Sequence, residues 1–437
     1  MEDSAKRLVG MLNELGLVTD EPGKLTRTFL SPAMARANAL VGSWMKDAGL
    51  TVRVDAVGNL IGRYEAVGGQ LAGAQSARAS SLAHKKTKTL LLGSHLDTVR
   101  DAGKFDGSLG VLLPILALAE LKRRGVKLPF HVEVLGFSEE EGVRFSSAYL
   151  GSKGYCGKLT AKDFTTADAD GITVGEAIAR WNGLTPGRSG KRVGDNALHL
   201  KAAHARGDLL GYVEVHIEQG PVLEAKKLSV GVVTAIAGQS RFKLTWTGKA
   251  GHAGTTPMDL RRDALAGVAE FMVGVETIAR RTKGLVATVG SLTVAPGAAN
   301  VIPGQVVHTL DVRHARDGVR RLALMQIGRL ATQIATRRKL VRRWQRTQEN
   351  GAITCSSDLA AQLARSVKAV QGESLSLVSG AGHDAVVMSA LTPVTMLFVR
   401  SRNGLSHHPD EFTAARDLDV ALQVVIDFLQ RLATEKT

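Results

Sequence analysis

Residues 89–125 read TLLLGSHLDTVRDAGKFDGSLGVLLPILALAELKRRG. The opening TLLLGSH has the length of one strand and is largely apolar on both faces, as a strand buried within a sheet is. GVLLPILALAELKRRG, residues 110–125, has the spacing of a buried helix, and Pro114 is expected in its first turn, where a missing N–H does no harm. His95 and Asp97 stand two apart at the strand end, so both side chains project from one face. Asp106 follows in a glycine-flanked loop that opens the helix. Strand, polar loop and helix in this order predict an α/β layered fold with its chemistry at one edge of the sheet.

Outward from this stretch the alternation continues. HVEVLGF (131–137) and GYVEVHI (211–217) read as further strands. Residues 68–88 are small, polar and basic without periodicity, which predicts a solvated insertion, and 184–208 is rich in Gly, Arg and His and reads mostly as surface. From about 236 the pattern changes. QSRFKLTWTG is a strand, DLRRDALAGVAEFMVGVETIARR a helix, and LVATVGSLTV and QVVHTLDVR are two strands separated by APGAANVIPG. Helix GVRRLALMQIGRLATQIATRR and strand LVRRWQRTQ complete a β-α-β-β-α-β order, that of a ferredoxin-like sandwich. This predicts a domain over 236–349 inserted into one formed by 1–235 and 350–437. The α/β pattern then resumes with helix 357–371, strand PVTMLFV (393–399) and helix 413–434.

Bulk properties narrow the class. At 437 residues the chain exceeds what one core usually supports. The hydrophobic fraction of 44% and mean hydropathy of +0.02 are those of a soluble globular protein, and no apolar run approaches a membrane span. The first sixteen residues read as an amphipathic helix rather than a signal peptide, which places the protein in the cytoplasm. Two cysteines, Cys156 and Cys355, are too few for a disulfide framework. The net charge is +15, and Val319–Thr347 holds nine cationic residues and no acidic one. Such a stripe suits nucleic acid. With 4% aromatics and Trp344 alone in the stripe, base-stacking platforms are not evident, and a solvated helix face is the preferred reading.

Five stretches carry chemistry: GSHLDT (93–98), KFDG (104–107), SEEEG (138–142), VEVHIEQG (213–220) and LSHHPDE (405–411). Each places a His, Asp or Glu at or near the end of an apolar run. Nitrogen and oxygen donors without thiolate suit Zn²⁺, Mn²⁺ or Co²⁺. His95 is a ligand candidate, and Asp97 accepts its other ring N–H or steadies the cluster. A carboxylate at Asp106 can bridge two cations. The three successive carboxylates of SEEEG repel one another as a solvated turn, but beside cations they take separate tasks. Glu141 is assigned as ligand and Glu140 as general base, with Glu139 in neither role. His216 and His407 complete the set.

The ordered run of GSHLDTV, FDG, EEGxRF, HIEQGPVL, GHAGTTPMxxRxDA, NVIPG, SGAGHDA and SHHPxE resembles the ureido-hydrolysing branch of the M20 di-metal peptidase family, over nearly the whole chain. That branch comprises allantoate amidohydrolases, N-carbamoyl-L-amino acid hydrolases and β-ureidopropionases. The resemblance implies a catalytic di-metal domain, a mixed sheet flanked by helices, interrupted by a lid and dimerisation domain, and hence a homodimer. It implies two divalent cations per subunit, one on His95 and His216, the other on Glu141 and His407, with Asp106 bridging. It makes Glu140 the catalytic Glu and Asp97 the partner of the first His. It gives His252 an oxyanion role across subunits. Gln239, Asn300 and Arg313 become substrate-binding residues, Arg313 suited to a carboxylate by bidentate hydrogen bonding, and His383 lines the pocket. Departures are mild: PGAAN where an Asn is expected after the Pro, the 68–88 insertion, and the basic second lid helix. The substrate is then a small anionic ureide. Arg100 after HLDTV favours allantoate, with N-carbamoyl-L-amino acids as the alternative. Two rival classes are a nucleic-acid-binding protein and a metal-binding protein without turnover, and Glu140 and His252 together speak against the second.

Overall fold

The computed structural model describes residues 2–67, 87–183 and 202–435. Most of the stretches 68–88 and 184–208 singled out above therefore lies outside the described residues. Ten elements carry the argument: β1 (Thr89–His95), α1 (Ser108–Arg123), β2 (His131–Phe137), β3 (Leu209–Ile217), β4 (Gly238–Thr247), α2 (Ala264–Arg281), β5 (Gln305–His314), α3 (Asp317–Arg337), β6 (Val341–Asn350) and β7 (Val394–Val399). By contacts the chain divides into two compact units. One comprises Met1–Thr234, Cys355–Leu377 and Gly382–Thr437, the other Ala235–Thr354 with Val378–Ala381.

The first unit is built on a mixed sheet. Its central strands run in the order β2-β1-β3-β7 and are parallel to one another. Leu60–Tyr64 adds antiparallel beside β2, and Val230–Ile236 beside β7. All seven residues of β1 are buried, as expected of a parallel strand covered on both faces. Helix α1 is apolar almost all round and buries twelve of its sixteen residues, the mark of a helix with core on every side. It packs with Leu12 and Leu15 of the N-terminal helix and with Leu418, Leu422 and Phe428 of the C-terminal helix Ala415–Glu435. A Cβ at Gly110 would stand 2.1 Å from the Val215 carbonyl oxygen, so only glycine lets α1 approach β3 this closely.

One expectation fails here. Pro114 is interior to α1 rather than in its first turn. The helix opens at Ser108, because the Leu109 and Gly110 N–H groups already bond back to Phe105 and Gly107. The unaided sequence marks glycine-rich loops poorly as helix starts, since residue 107 lacks the side chain of a usual cap.

The second unit holds an antiparallel sheet in the order β6-β4-β5, with Val286–Thr288 and Leu292–Ala295 both paired to β5. Trp246, Val306 and Leu310 of the sheet form one core with Val268 and Phe271 of α2 and Ile327 and Ile334 of α3. LVATVGSLTV, read as one strand, is two short ones. At the break the Thr309 hydroxyl accepts the Ser291 N–H at 3.1 Å, so a side chain interrupts the backbone ladder beside Gly290. The basic stripe is not all solvated either. Arg320 is 1% exposed and bonded to Ser240 and Asp317, and Arg337 and Arg338 pair with Glu270. No helix among the described residues is long and apolar enough to cross a membrane.

Candidate active site

The carboxyl-terminal ends of the parallel strands converge, the place where open α/β sheets hold their ligands. His95 ends β1, His216 is the penultimate residue of β3, and the acidic run 139–141 follows directly after β2 and Ser138. His407 lies on the loop after β7. The turn of KFDG brings in Asp106. Gly107 has φ +62 and a Cβ there would be 2.4 Å from the His95 ring, so glycine alone lets this loop close over the imidazole.

The two oxygens of Asp106 face different partners. Oδ1 lies 3.0 Å from His216 Nε2 and 3.6 Å from His95 Nε2, whereas Oδ2 lies 3.3 Å from His407 Nε2. His407 Nε2 is also 3.4 Å from Glu141 Oε1. Three sets of donor atoms fall within 4.8 Å of one another: His95, Asp106 and His216; His95, Glu140 and Glu141; Asp106, Glu141 and His407. Both strand histidines turn Nδ1 to a backbone carbonyl, His95 to Asp97 at 3.0 Å and His216 to Ile217 at 2.9 Å. Donating there fixes the tautomer that leaves Nε2 with its lone pair toward the cluster. Asp97 serves twice: its carboxylate is 3.4 Å from His95 Nδ1, and it accepts the Glu140 and Glu141 N–H groups at 2.9 and 3.1 Å.

Burial sets the electrostatics. Glu140 is pushed well above the usual carboxylate range by burial and then by Glu141, with His95 opposing, and Glu141 rises to about 7 through burial and Asp106. Burial also opposes the ionised form of Asp106, yet His216, His407 and His95 hold it well below its ordinary value. His407 is raised to about 9, chiefly by Asp106. Buried acids this dense need compensating positive charge. Asp106 Oδ1 is buried and accepts no well-formed hydrogen bond. An orphaned carboxylate oxygen facing two imidazole Nε2 atoms fits a divalent cation, and the donor set suits Zn²⁺, Mn²⁺ or Co²⁺.

The remaining candidates divide between the units. His383 is buried in the first unit, its ring 4.5 Å from that of His216, and burial with His216 beside it holds its pKa well below the ordinary value. It packs against a candidate ligand as a neutral imidazole. In the second unit Gln239 and Arg313 are register partners on β4 and β5. Both bond Asp311: Gln239 Nε2 at 2.8 Å, and Arg313 through Nε at 3.0 Å and Nη2 at 2.8 Å. Arg313 Nη1 also donates to the Gly380 carbonyl at 2.6 Å. Arg313 lines a cavity of about 810 Å³ with Arg241, Asp311 and His314. His252 is exposed, and its strand Gly251–His252 pairs with Val301–Ile302, which places Asn300 beside it. The Gly254 N–H donates to His252 Nδ1 at 3.1 Å, leaving Nε2 as a donor toward solvent.

Some side chains at the cluster escaped the sequence reading. Gln219 donates to Asp106 Oδ2 at 3.0 Å and to Ser406 at 3.1 Å. Ser406 and Glu411 also bind the Asp106 loop. All three sit inside the quoted HIEQG and LSHHPDE runs, and that proximity was their only signal.

The model for peptidase family M20/M25/M40 matches residues 91–431. The chain belongs to this family. Among M20 relatives, allantoate deiminase of Arabidopsis thaliana is 40% identical over 97% of this chain and 81% of its own length. N-carbamoyl-L-amino acid amidohydrolase of Geobacillus stearothermophilus is 38% identical over 98% of both chains. The crystal structure of a hydantoinase/carbamoylase family amidase from Burkholderia multivorans superposes with a TM-score of 0.85, at 30% identity over 98% of each chain. The mixed-sheet α/β fold is thus that of M20 amidases, and the protein is an M20 hydrolase.

Proposed function

We propose that this M20 hydrolase is an allantoate amidohydrolase that cleaves a ureido C–N bond, releasing ammonia and carbon dioxide. The observation that carries the hydrolytic reading is Asp106, whose two oxygens face separate histidine-containing donor sets while Glu140 stands beside both. In this reading His95, His216 and Asp106 hold one divalent cation, and Asp106, Glu141 and His407 hold a second. Such a pair of cations lowers the pKa of a water and polarises the oxygen of a poorly electrophilic urea.

The protein's own groups do the rest. Glu140, held near by Asp97 through its backbone N–H, takes a proton from the attacking water and returns it to the departing nitrogen. For a group R the balance is H₂N–CO–NH–R + H₂O → NH₃ + CO₂ + R–NH₂. His252 Nε2–H is a donor for the oxyanion of the tetrahedral intermediate, and following the family resemblance we assign it to the partner subunit's site in a homodimer. The smaller unit is then lid and dimerisation domain. A guanidinium has five N–H groups. Asp311 takes two from Arg313 and Gly380 one, so two remain for a substrate carboxylate. Gln239 and Asn300 complete the proposed substrate contacts. Cys156 and Cys355 are free and buried, which suits a reducing compartment, and we place the enzyme in the cytoplasm.

The second reading is N-carbamoyl-L-amino acid hydrolysis, favoured by the match to the Geobacillus enzyme along 98% of both chains. Ammonia release from allantoate, several N-carbamoyl-L-amino acids and N-carbamoyl-β-alanine, measured side by side on Mn²⁺-loaded protein, separates them. The highest kcat/KM is expected for allantoate, and a higher value for a carbamoyl amino acid would transfer the assignment.

A further inference from the structure

Glu411 lies four residues beyond His407, is 3% exposed, and has no task in the reaction above. Its Oε1 accepts the backbone N–H groups of Phe105 at 2.9 Å and Asp106 at 3.0 Å. Ser406 Oγ stands between its Oε2, at 3.1 Å, and Asp106 Oδ2, at 2.7 Å. Gly103 leaves room for it, since a Cβ there would be 2.3 Å from the Glu411 Cβ. Beside this grip the rings of Phe105 and Phe412 meet edge to face. Two loops some 300 positions apart in the chain are therefore fastened through one buried carboxylate.

The fastening matters unequally to the two donor sets. His95 and His216 belong to β1 and β3, where hydrogen-bonded neighbours Phe137 and Phe398 fix their backbones. His407 has no such support: it sits on a loop, its side chain is half exposed, and its φ of +56 is one that L residues rarely adopt. Asp106 is also on a loop. The distance from Asp106 to His407 hence depends on what joins their loops. Glu411 supplies two of those contacts directly and braces Ser406, which makes a third to Asp106, while Gln219, reaching both Asp106 Oδ2 and Ser406, adds others.

We propose that Glu411 is a positioning residue that sets Asp106 against His407, and so governs the cation held by Asp106, Glu141 and His407 more than the one held with His95 and His216. The inference rests on the two-cation reading of the site. Position rather than charge is the operative property. Glutamine keeps an oxygen for the two N–H groups and offers its amide to the Ser406 oxygen, whereas alanine removes every contact.

The test is Mn²⁺ titration of the metal-stripped full chain by calorimetry, with thermal unfolding of the stripped protein recorded alongside. Wild type is expected to take up two cations. E411A is expected to weaken one of them about 10- to 100-fold, as loss of groups that orient ligands does, and to leave the other within about threefold. E411Q is expected to keep both. Equal weakening of both cations in E411A, unchanged binding, or an E411Q that behaves as E411A would each overturn the proposal. Should E411A fail to fold, S406A carries the same test, with weakening of one cation expected and wild-type affinity at both overturning it. A wild-type chain that binds a single cation would instead overturn the two-cation reading, a result visible before any variant is made.

Discussion

Glu140 and Glu141 are adjacent, both nearly buried, and their N–H groups bond the same Asp97 carboxylate, yet the roles assigned to them differ. Glu141 reaches His407, whereas Glu140 carries the proposed proton exchange. Glu140→Ala is expected to lower kcat by about 10²- to 10⁴-fold, the usual worth of a general base, while metal content by elemental analysis stays at the wild-type value. Because Glu140 also falls into one donor set with His95 and Glu141, loss of a cation in that variant would make it a ligand. His252→Ala is expected to reduce kcat by about 10²- to 10³-fold with little change in KM, as loss of one oxyanion donor does. A rise in KM at constant kcat would contradict the oxyanion role. Residues at strand ends were legible in the sequence because an apolar run that stops at a histidine marks its own geometry. Ser406 and Glu411 were not, because their partners are backbone N–H groups and a carboxylate some 300 residues away, which no local spacing reveals.

At the scale of the element, β2 shows how a strand carries charge through a core. Glu133 is 2% exposed and bonded by Arg63 at 3.0 Å, Tyr155 at 2.8 Å and His204 at 3.0 Å. Burial pushes its pKa up, but His204, then Tyr155 and Arg63, pull it down to about 2. A carboxylate lowered in the folded state stabilises it above the ordinary value of 4.5, and that contribution is lost as pH falls from there toward 2. Glu133→Gln is expected to cost about 3 kcal/mol at pH 7, since it breaks a buried charged network. Denaturant unfolding of the variant should also show a flatter stability profile between about pH 4.5 and 2 than wild type. A variant with the wild-type acid profile would remove Glu133 as the cause. Strands were unequally legible in the sequence. The apolar runs of β1, β2 and β3 identify themselves, whereas LVATVGSLTV looked continuous because its break comes from the Thr309 side chain on another strand.

On the scale of the whole molecule, the pattern of apolar runs changes near residue 236, and contacts begin the second unit at Ala235. Its return of Val378–Ala381 was invisible, for a four-residue excursion has no periodicity to detect. The substrate was the least legible feature, since Arg100, on which the preference for allantoate leaned, is exposed and paired to Glu21. The proposed hydrolysis stands on two cations around Asp106. Its most direct test is ammonia release from allantoate as metal-stripped protein is titrated with Mn²⁺. The stripped chain should be silent, and activity should return fully only at two equivalents per subunit. Turnover without added cation, or full activity at one equivalent, would contradict it.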